Sequence, residues 1–197
     1  MAILAFKNGV MNCGKSMRIL GEKYNYEVNS LETILAKPKS DKKGEDKVVA
    51  RIGIERTCDV LLKSDDLKEL YDKITSETKC ILVDEVQFLN KSQVFELFKI
   101  AKIKDIPVIC YGLKTNFKGE LFEGAAALFS YADEYEEISR ICSCGKVARF
   151  NARKENGVFT LKGENILIDG SDPDVEYLPL CGECYLKYVY GVKWFLT

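Results

Sequence analysis

Residues 9–16 read Gly9-Val10-Met11-Asn12-Cys13-Gly14-Lys15-Ser16 and follow the phosphate-binding pattern G-x-x-x-x-G-K-[ST]. The apolar run at 2–6 predicts a short buried strand before this loop, and the spacing of Ile19, Leu20 and Tyr24 predicts a helix after it, to about residue 26. Glycines let such a loop curl so that backbone N–H groups point at phosphate oxygens, and the helix N-terminus adds positive charge. The stretch therefore predicts a phosphate-binding site between a strand and a helix.

The polar groups of this loop have expected partners on a nucleotide. We expect Lys15 to reach the β- and γ-phosphates of a nucleoside triphosphate, and the Ser16 hydroxyl to contact Mg²⁺. The other loop residues predicted to contact the nucleotide are Gly9, Met11, Asn12, Cys13 and Gly14. The alternative is an ordinary glycine turn, although chance would produce the pattern in only roughly one chain of this length in a hundred.

The composition is that of a soluble globular protein, with 47% hydrophobic and 30% charged residues. No apolar stretch approaches the ~20 residues that cross a bilayer, and the first apolar run is too short for a secretory signal. We therefore expect a cytoplasmic protein that does not bind membranes. The formal net charge of −1 gives no basic field for nucleic acid, and the lack of histidine excludes Ser-His-Asp and Cys-His catalysis.

Strand-like and helix-like segments alternate through the first two thirds of the chain. Short apolar runs predict strands at 33–37, 48–50, 59–62, 80–83 and 107–113, and helical spacing predicts helices at 64–76, 92–102 and 122–131. This alternation indicates an α/β fold, a parallel sheet of the P-loop NTPase type flanked by helices. We expect this nucleotide-binding domain to span residues 1–136, with ligands at the carboxyl ends of its strands.

Two carboxylates, Asp84 and Glu85, follow the strand predicted at 80–83. The carboxyl ends of parallel strands share one edge of a sheet, so both side chains can face the loop at 9–16. We expect Asp84 to position Mg²⁺ beside Ser16, the alternative being a surface aspartate that starts a turn. Glu85 could orient a water or accept a proton from an alcohol, so ATPase and kinase chemistry both remain open.

Four of the eight cysteines form two close pairs near the C-terminus, Cys142 with Cys144 and Cys181 with Cys184. Paired cysteines in a cytosolic protein favour metal over disulfides, and four thiolates predict a structural Zn²⁺ site. Two reduced pairs in a loop-rich segment are the alternative. We expect residues 137–197 to form a small zinc-binding lobe of short strands, with one long loop between the pairs.

Further segments make the chain similar to the zinc-bearing, type II class of thymidine kinases. Besides the loop at 9–16 and the first cysteine pair, they are Ala50-Arg51-Ile52-Gly53, Val83-Asp84-Glu85-Val86-Gln87-Phe88, the stretch Gly112 to Phe122, Tyr131-Ala132-Asp133, and Tyr177. The resemblance covers nearly the whole chain. It implies transfer of the ATP γ-phosphate to the 5′-hydroxyl of thymidine or deoxyuridine with Mg²⁺, by a homo-tetramer.

The resemblance also implies roles for individual residues. Glu85 would be the catalytic base, while Lys15, Ser16, Asp84, Arg51 and Gln87 would contact the phosphates and Mg²⁺. The nucleoside pocket would comprise Met11, Leu113, Phe117, Phe122, Ile168 and Tyr177, under a lid loop at about 152–176. Lys43 and Asn116 depart from the family pattern, which has an arginine and an aspartate there.

Two other functions remain alternatives at this point. One is a P-loop ATPase or nucleotide switch whose zinc lobe binds a protein partner. The other is a zinc-ribbon nucleic-acid module with accessory ATP binding, which the net charge and the lack of a basic aromatic face disfavour.

Overall fold

The computed structural model describes residues 1–41, 44–64, 66–163 and 174–192. Its helices and strands follow one another as β1 (Leu4–Asn8), α1 (Lys15–Glu27), β2 (Glu32–Pro38), β3 (Lys47–Val49), β4 (Glu55–Thr57), β5 (Val60–Leu62), α2 (Lys68–Lys73), β6 (Thr78–Val83), α3 (Lys91–Ile103), β7 (Val108–Gly112), α4 (Glu123–Tyr131), β8 (Glu134–Glu137), β9 (Arg140–Ile141), β10 (Val147–Ala148), β11 (Phe150–Glu155), β12 (Val158–Thr160), β13 (Val175–Leu180) and α5 (Gly182–Val189). A 3₁₀ turn, Val86–Phe88, lies between β6 and α3.

A six-stranded sheet in the order β5-β2-β6-β7-β1-β8 forms the centre of the molecule. Every pairing in it is parallel, which confirms the predicted α/β fold class. In β6, Ile81 and Val83 pack into the cluster that contains α3 and α4, whereas Cys80 and Leu82 pack into the cluster that contains α1. Helices therefore cover both faces of the sheet, as a parallel sheet requires.

Three parts of this domain differ from the sequence-based prediction. The strand predicted at 48–50 exists as β3, but it pairs antiparallel with β4 in a separate hairpin. The helix predicted at 64–76 is shorter, because the chain turns extended at Ile74 and α2 spans only Lys68–Lys73. The edge strand β8 was not predicted, since its sequence Glu-Tyr-Glu-Glu has no apolar run.

After β8 the chain forms smaller antiparallel units. β9 pairs with β10, and β12, β11 and β13 form a three-stranded sheet against which α5 packs. Short strands were predicted here, but α5 was not. The segment 152–176, predicted as a lid loop, is strand at both ends, and Ile168 and the rest of 164–173 lie outside the described residues. Among the helices in the described ranges, none has the length and apolarity needed to span a membrane.

Candidate active site

A cavity of about 500 Å³ lies at the carboxyl ends of the central strands. Its walls come from the loop after β1, the β3–β4 hairpin, the turn after β6, the loop after β7, and β11 and β13. Predicted residues that line it are Met11, Asn12, Cys13, Gly14, Lys15, Ser16, Arg51, Glu85, Gln87, Leu113, Phe117, Phe122 and Tyr177. The structure therefore brings the loop, the catalytic candidate and the aromatic side chains to one site; Gly9 and Asp84 lie behind its surface.

The loop after β1 depends on its two glycines. Gly14 has φ +93°, a left-handed conformation that side chains disfavour, and it is the N-cap of α1. A Cβ on Gly9 would lie 2.5 Å from Cys13 Sγ and 2.7 Å from the Ile138 carbonyl oxygen. The first glycine thus permits close packing, and the second permits the turn into the helix.

Lys15 lines the cavity, whereas Asp84 is buried behind its surface. The Lys15 ammonium donates to the Val10 carbonyl at 3.0 Å and to the Gly9 carbonyl at 3.4 Å, so it lies inside the loop. Burial, reinforced by the Glu85 carboxylate, raises the pKa of Asp84 to about 8, and the charge of Lys15 opposes that rise. Within the described part of the chain, Asp84 Oδ1 is buried without a hydrogen-bond partner. A buried, unsatisfied carboxylate oxygen beside this loop suits a Mg²⁺ ligand.

Glu85 begins the 3₁₀ turn in a left-handed conformation, with φ 51° and ψ 38°. The Gln87 amide Nε2 donates to Glu85 Oε2, and Gln87 Oε1 accepts from the Leu113 backbone N–H at 3.0 Å. Glu85 is half-buried and lines the cavity, so its carboxylate can accept a proton from a bound hydroxyl group.

The side of the cavity away from the loop is apolar and aromatic. The Phe117 ring is buried, with the Arg153 guanidinium 4.9 Å from its centroid. The Tyr185 hydroxyl donates to the Phe117 carbonyl at 2.5 Å, which ties α5 to this wall. Phe122 packs edge to face on Phe88, with centroids 6.4 Å apart. Flat apolar surfaces of this kind suit a planar base.

Asn151 is a site residue that the sequence analysis missed. Its Oδ1 accepts from the Met11 backbone N–H at 2.8 Å, and its Nδ2 donates to the Thr115 carbonyl at 3.2 Å. A residue of β11 thereby joins the phosphate loop to the loop after β7. No local pattern marks such a residue, because its two partners lie 140 and 36 positions away along the chain.

Asp41 is a second cavity residue that was not predicted as part of the site. It is buried and forms an ion pair of 2.9 Å with Lys37, whose side chain is also buried. The signal was available, because Asp41 lies two residues before Lys43, which departs from the family pattern. Lys42 and Lys43, which follow it, lie outside the described residues.

Asn116 also lines the cavity, and its surroundings account for the amide. Its Oδ1 accepts from the backbone N–H groups of Lys118 and Glu120, both at 3.0 Å, while its Nδ2 donates to Glu120 Oε2 at 2.9 Å. An aspartate could make only the first two contacts and would face the Glu120 carboxylate with like charge. An amide at position 116 is therefore better suited than a carboxylate to lie beside Glu120.

The four paired cysteines come together in the C-terminal lobe. Their Sγ atoms all lie within 4.8 Å of one another, and Cys144 Sγ is 3.5 Å from Cys181 Sγ. Burial opposes ionisation of Cys142, but N–H donors of Cys144 and Cys181 outweigh it and lower its pKa to about 6, whereas burial and the neighbouring sulfurs raise the pKa of Cys184 to about 12. A compact set of four sulfurs with a thiolate already favoured fits a tetrahedral zinc ion.

Comparison with known proteins shows similarity to thymidine kinases over most of the chain. The family model described as thymidine kinase matches residues 2–185. A protein named thymidine kinase from Francisella tularensis subsp. holarctica is 37% identical over 196 residues, covering 96% of this chain and 100% of its own. Those from Mannheimia succiniciproducens and Haemophilus influenzae are each 40% identical, covering 92% of this chain and 93% and 94% of their own.

Proposed function

The chain belongs to the thymidine kinase family and phosphorylates thymidine, and we propose that it transfers the γ-phosphate of ATP directly to the 5′-hydroxyl group of thymidine or deoxyuridine. The observation that carries this mechanism is the convergence of the loop at 9–16, Glu85 and an aromatic wall on one cavity. Phosphoryl transfer depends mainly on positioning two substrates and stabilising charge, which such a cavity can do.

The phosphate side of the cavity supplies the charge stabilisation. The backbone N–H groups of residues 9–16 and the Lys15 ammonium would bind the phosphates, and Arg51 faces the same space. Asp84 and the Ser16 hydroxyl would hold Mg²⁺, which when bound neutralises charge on the phosphate oxygens. The unsatisfied Asp84 Oδ1 supports this assignment.

Glu85 would accept the proton of the 5′-hydroxyl group as that oxygen attacks the γ-phosphorus. The base of the nucleoside would lie against Met11, Leu113, Phe117, Phe122 and Tyr177, all of which line the cavity. A snug apolar contact with the thymine methyl group is worth only about 1–3 kcal/mol, so deoxyuridine should remain a slower substrate. Ile168, predicted for the same pocket, lies outside the described residues.

Cys142, Cys144, Cys181 and Cys184 would hold a structural Zn²⁺. Four protein thiolates fill a tetrahedral site and leave no position for a substrate, so the metal would support the fold rather than the reaction. We also propose a division into a nucleotide-binding domain at 1–136 and a zinc lobe at 137–197. A homo-tetrameric assembly, on the family resemblance alone, and a cytoplasmic location, on the sequence composition, complete the proposal.

The test is release of ADP from MgATP, with and without each nucleoside of a panel. We expect turnover only with thymidine and, more slowly, deoxyuridine, and a loss of about 10²–10⁴-fold in kcat for Glu85→Gln. Turnover that ignores nucleosides would instead support the ATPase alternative. Unchanged kcat in Glu85→Gln would remove Glu85 as the base.

A further inference from the structure

We propose that Gln87 is a positioning residue for Glu85, and that its amide acts on the reaction through the Glu85 carboxylate rather than through the nucleotide. This inference rests on the proposed role of Glu85 as the base. The Gln87 side chain is 3% exposed, and its two polar atoms contact Glu85 and the backbone at Leu113.

The chemistry of the two partners fixes the orientation of the amide. The Leu113 backbone N–H can only donate, so the atom 3.0 Å from it must be the amide oxygen. The amide nitrogen then faces Glu85, where its N–H donates to the carboxylate. A hydrogen bond to an ionised acceptor is among the stronger ones in proteins, so this contact can hold the carboxylate in one orientation.

Packing holds Gln87 in this position. A Cβ on Gly112 would lie 2.6 Å from Gln87 Oε1 and 2.8 Å from a Val86 methyl carbon, so β7 leaves no space beside the amide. On the other side, a Cβ on Gly124 would lie 2.3 Å from the Val86 carbonyl oxygen, because α4 packs directly on the 3₁₀ turn. The two glycines thus allow the sheet and the helix to clamp the turn that carries both residues.

Glu85 needs such support for two physical reasons. Its left-handed backbone conformation is unfavourable for a residue with a side chain, so surrounding contacts must maintain it. Its carboxylate also stands on a flexible side chain, whereas proton transfer requires the oxygen within hydrogen-bond reach of the reacting hydroxyl group. A displacement of about 1 Å can reduce a rate by about 100-fold.

The first measurement compares kcat with KM in two variants. Gln87→Met keeps the length of the side chain but removes both hydrogen bonds, and we expect kcat to fall about 10- to 100-fold. The KM values for ATP and thymidine should change less than about twofold, because substrate contacts remain. Gln87→Glu can still accept from the Leu113 N–H but sets a carboxylate oxygen against Glu85, so it should lose at least as much kcat.

The second measurement is a double-mutant cycle. If Gln87 acts only through Glu85, then Gln87→Met should change kcat less than about twofold in a Glu85→Gln background. Gln93→Met is the matched control. Gln93 is an equally buried glutamine, with Oε1 accepting from Asn90 N at 3.0 Å and Nε2 donating to the Lys63 carbonyl at 2.6 Å, outside the cavity. It should lose thermal stability as Gln87→Met does, yet keep kcat.

Three results would overturn the inference. A raised KM for ATP with unchanged kcat would make Gln87 a nucleotide contact, as the family resemblance implies. Equal losses of kcat in both backgrounds would give it a role independent of Glu85. If Gln87→Met kept full kcat while Glu85→Gln lost activity, the positioning role alone would be refuted. Full kcat in Glu85→Gln would refute the proposed base itself.

Discussion

The two walls of the cavity are held by different parts of the molecule. The phosphate wall, residues 9–16 and 84–88, stands on β1 and β6, whose apolar side chains are buried between the central sheet and its helices. The base wall, residues 113–122 with Asn151 and Tyr177, is held by side-chain contacts to the C-terminal lobe, such as Tyr185 to Phe117. The lobe also contacts the phosphate loop, because Val10 packs into the cluster that contains Cys184 and Tyr185. We therefore expect nucleotide binding to depend mainly on the sheet, and nucleoside binding mainly on the lobe.

Among the changes that separate the two walls, removing the charge at the phosphate wall should have the largest effect. We expect Lys15→Ala to reduce kcat/KM for MgATP by about 10²–10³-fold, because a preorganised positive group no longer faces the phosphates. Thymidine binding, measured by equilibrium dialysis, should stay within about twofold, since the base wall has separate support.

A buried lysine of the same helix provides the control for Lys15. The Lys23 ammonium lies 3.2 Å from Asp59 Oδ2, and the residue does not line the cavity. Lys23→Ala should lower the melting temperature and leave kcat unchanged. If Lys15→Ala abolished thymidine binding as well, the two walls would not be independent.

Disruption of the cysteine cluster should affect the base wall first. Cys184 lies next to Tyr185 in α5, so loss of the metal would release the helix that supports Phe117. Structural zinc contributes about 10 kcal/mol or more to small metal-dependent folds, so we expect Cys184→Ser to lower the melting temperature clearly. The KM for thymidine should rise about tenfold or more, and the KM for MgATP much less.

Cys58→Ser is the matched control, because Cys58 is a half-buried cysteine outside both the cluster and the cavity. Metal analysis of both variants should find zinc only where the four thiols are intact. Equal increases of the two KM values in Cys184→Ser would show that the lobe supports both walls.

The pKa of Asp84 gives the phosphate wall a dependence on pH. Because burial raises this pKa to about 8, a proton competes with Mg²⁺ for the carboxylate. Lower pH favours the protonated form, so the KM for Mg²⁺ should rise by up to about tenfold per unit between about pH 8 and pH 6.

The Asp84→Asn variant is the control, because it keeps every other titratable group of the protein and has no carboxyl group at this position. Its KM for Mg²⁺ should be high and nearly independent of pH over the same range. The KM for thymidine should vary little with pH in either protein. A parallel pH dependence in the two proteins would assign the effect to another group.

The same contrast explains how much the sequence could predict. At the phosphate wall, a short local pattern determines each feature: Gly9 and Gly14 define the loop, and Asp84 and Glu85 end an apolar strand. The fold class follows in the same way from apolar runs. β8 was missed because an edge strand pairs on one side and needs no apolar run.

The base wall could be predicted only in part, since its contacts join distant segments. Phe117, Phe122 and Tyr177 came from the family resemblance, not from any local pattern. Asn151 and the support from Tyr185 depend on how the lobe packs, which no local spacing determines. The cysteine pairs predicted the lobe, but neither α5 nor the strands at both ends of the expected lid loop.

The smallest predicted effect tests Asn151, a side chain that bridges the two walls. Asn151→Asp can still accept from the Met11 N–H but cannot donate to the Thr115 carbonyl, so it removes the bond to the base wall. Loss of one such bond costs about 0.5–1.5 kcal/mol, so we expect the KM for thymidine to rise about two- to tenfold. Asn151→Ala removes both bonds and should raise the KM for MgATP as well. If Asn151→Asp raised the KM for MgATP and left that for thymidine unchanged, the bridge would serve the phosphate wall and not the base wall.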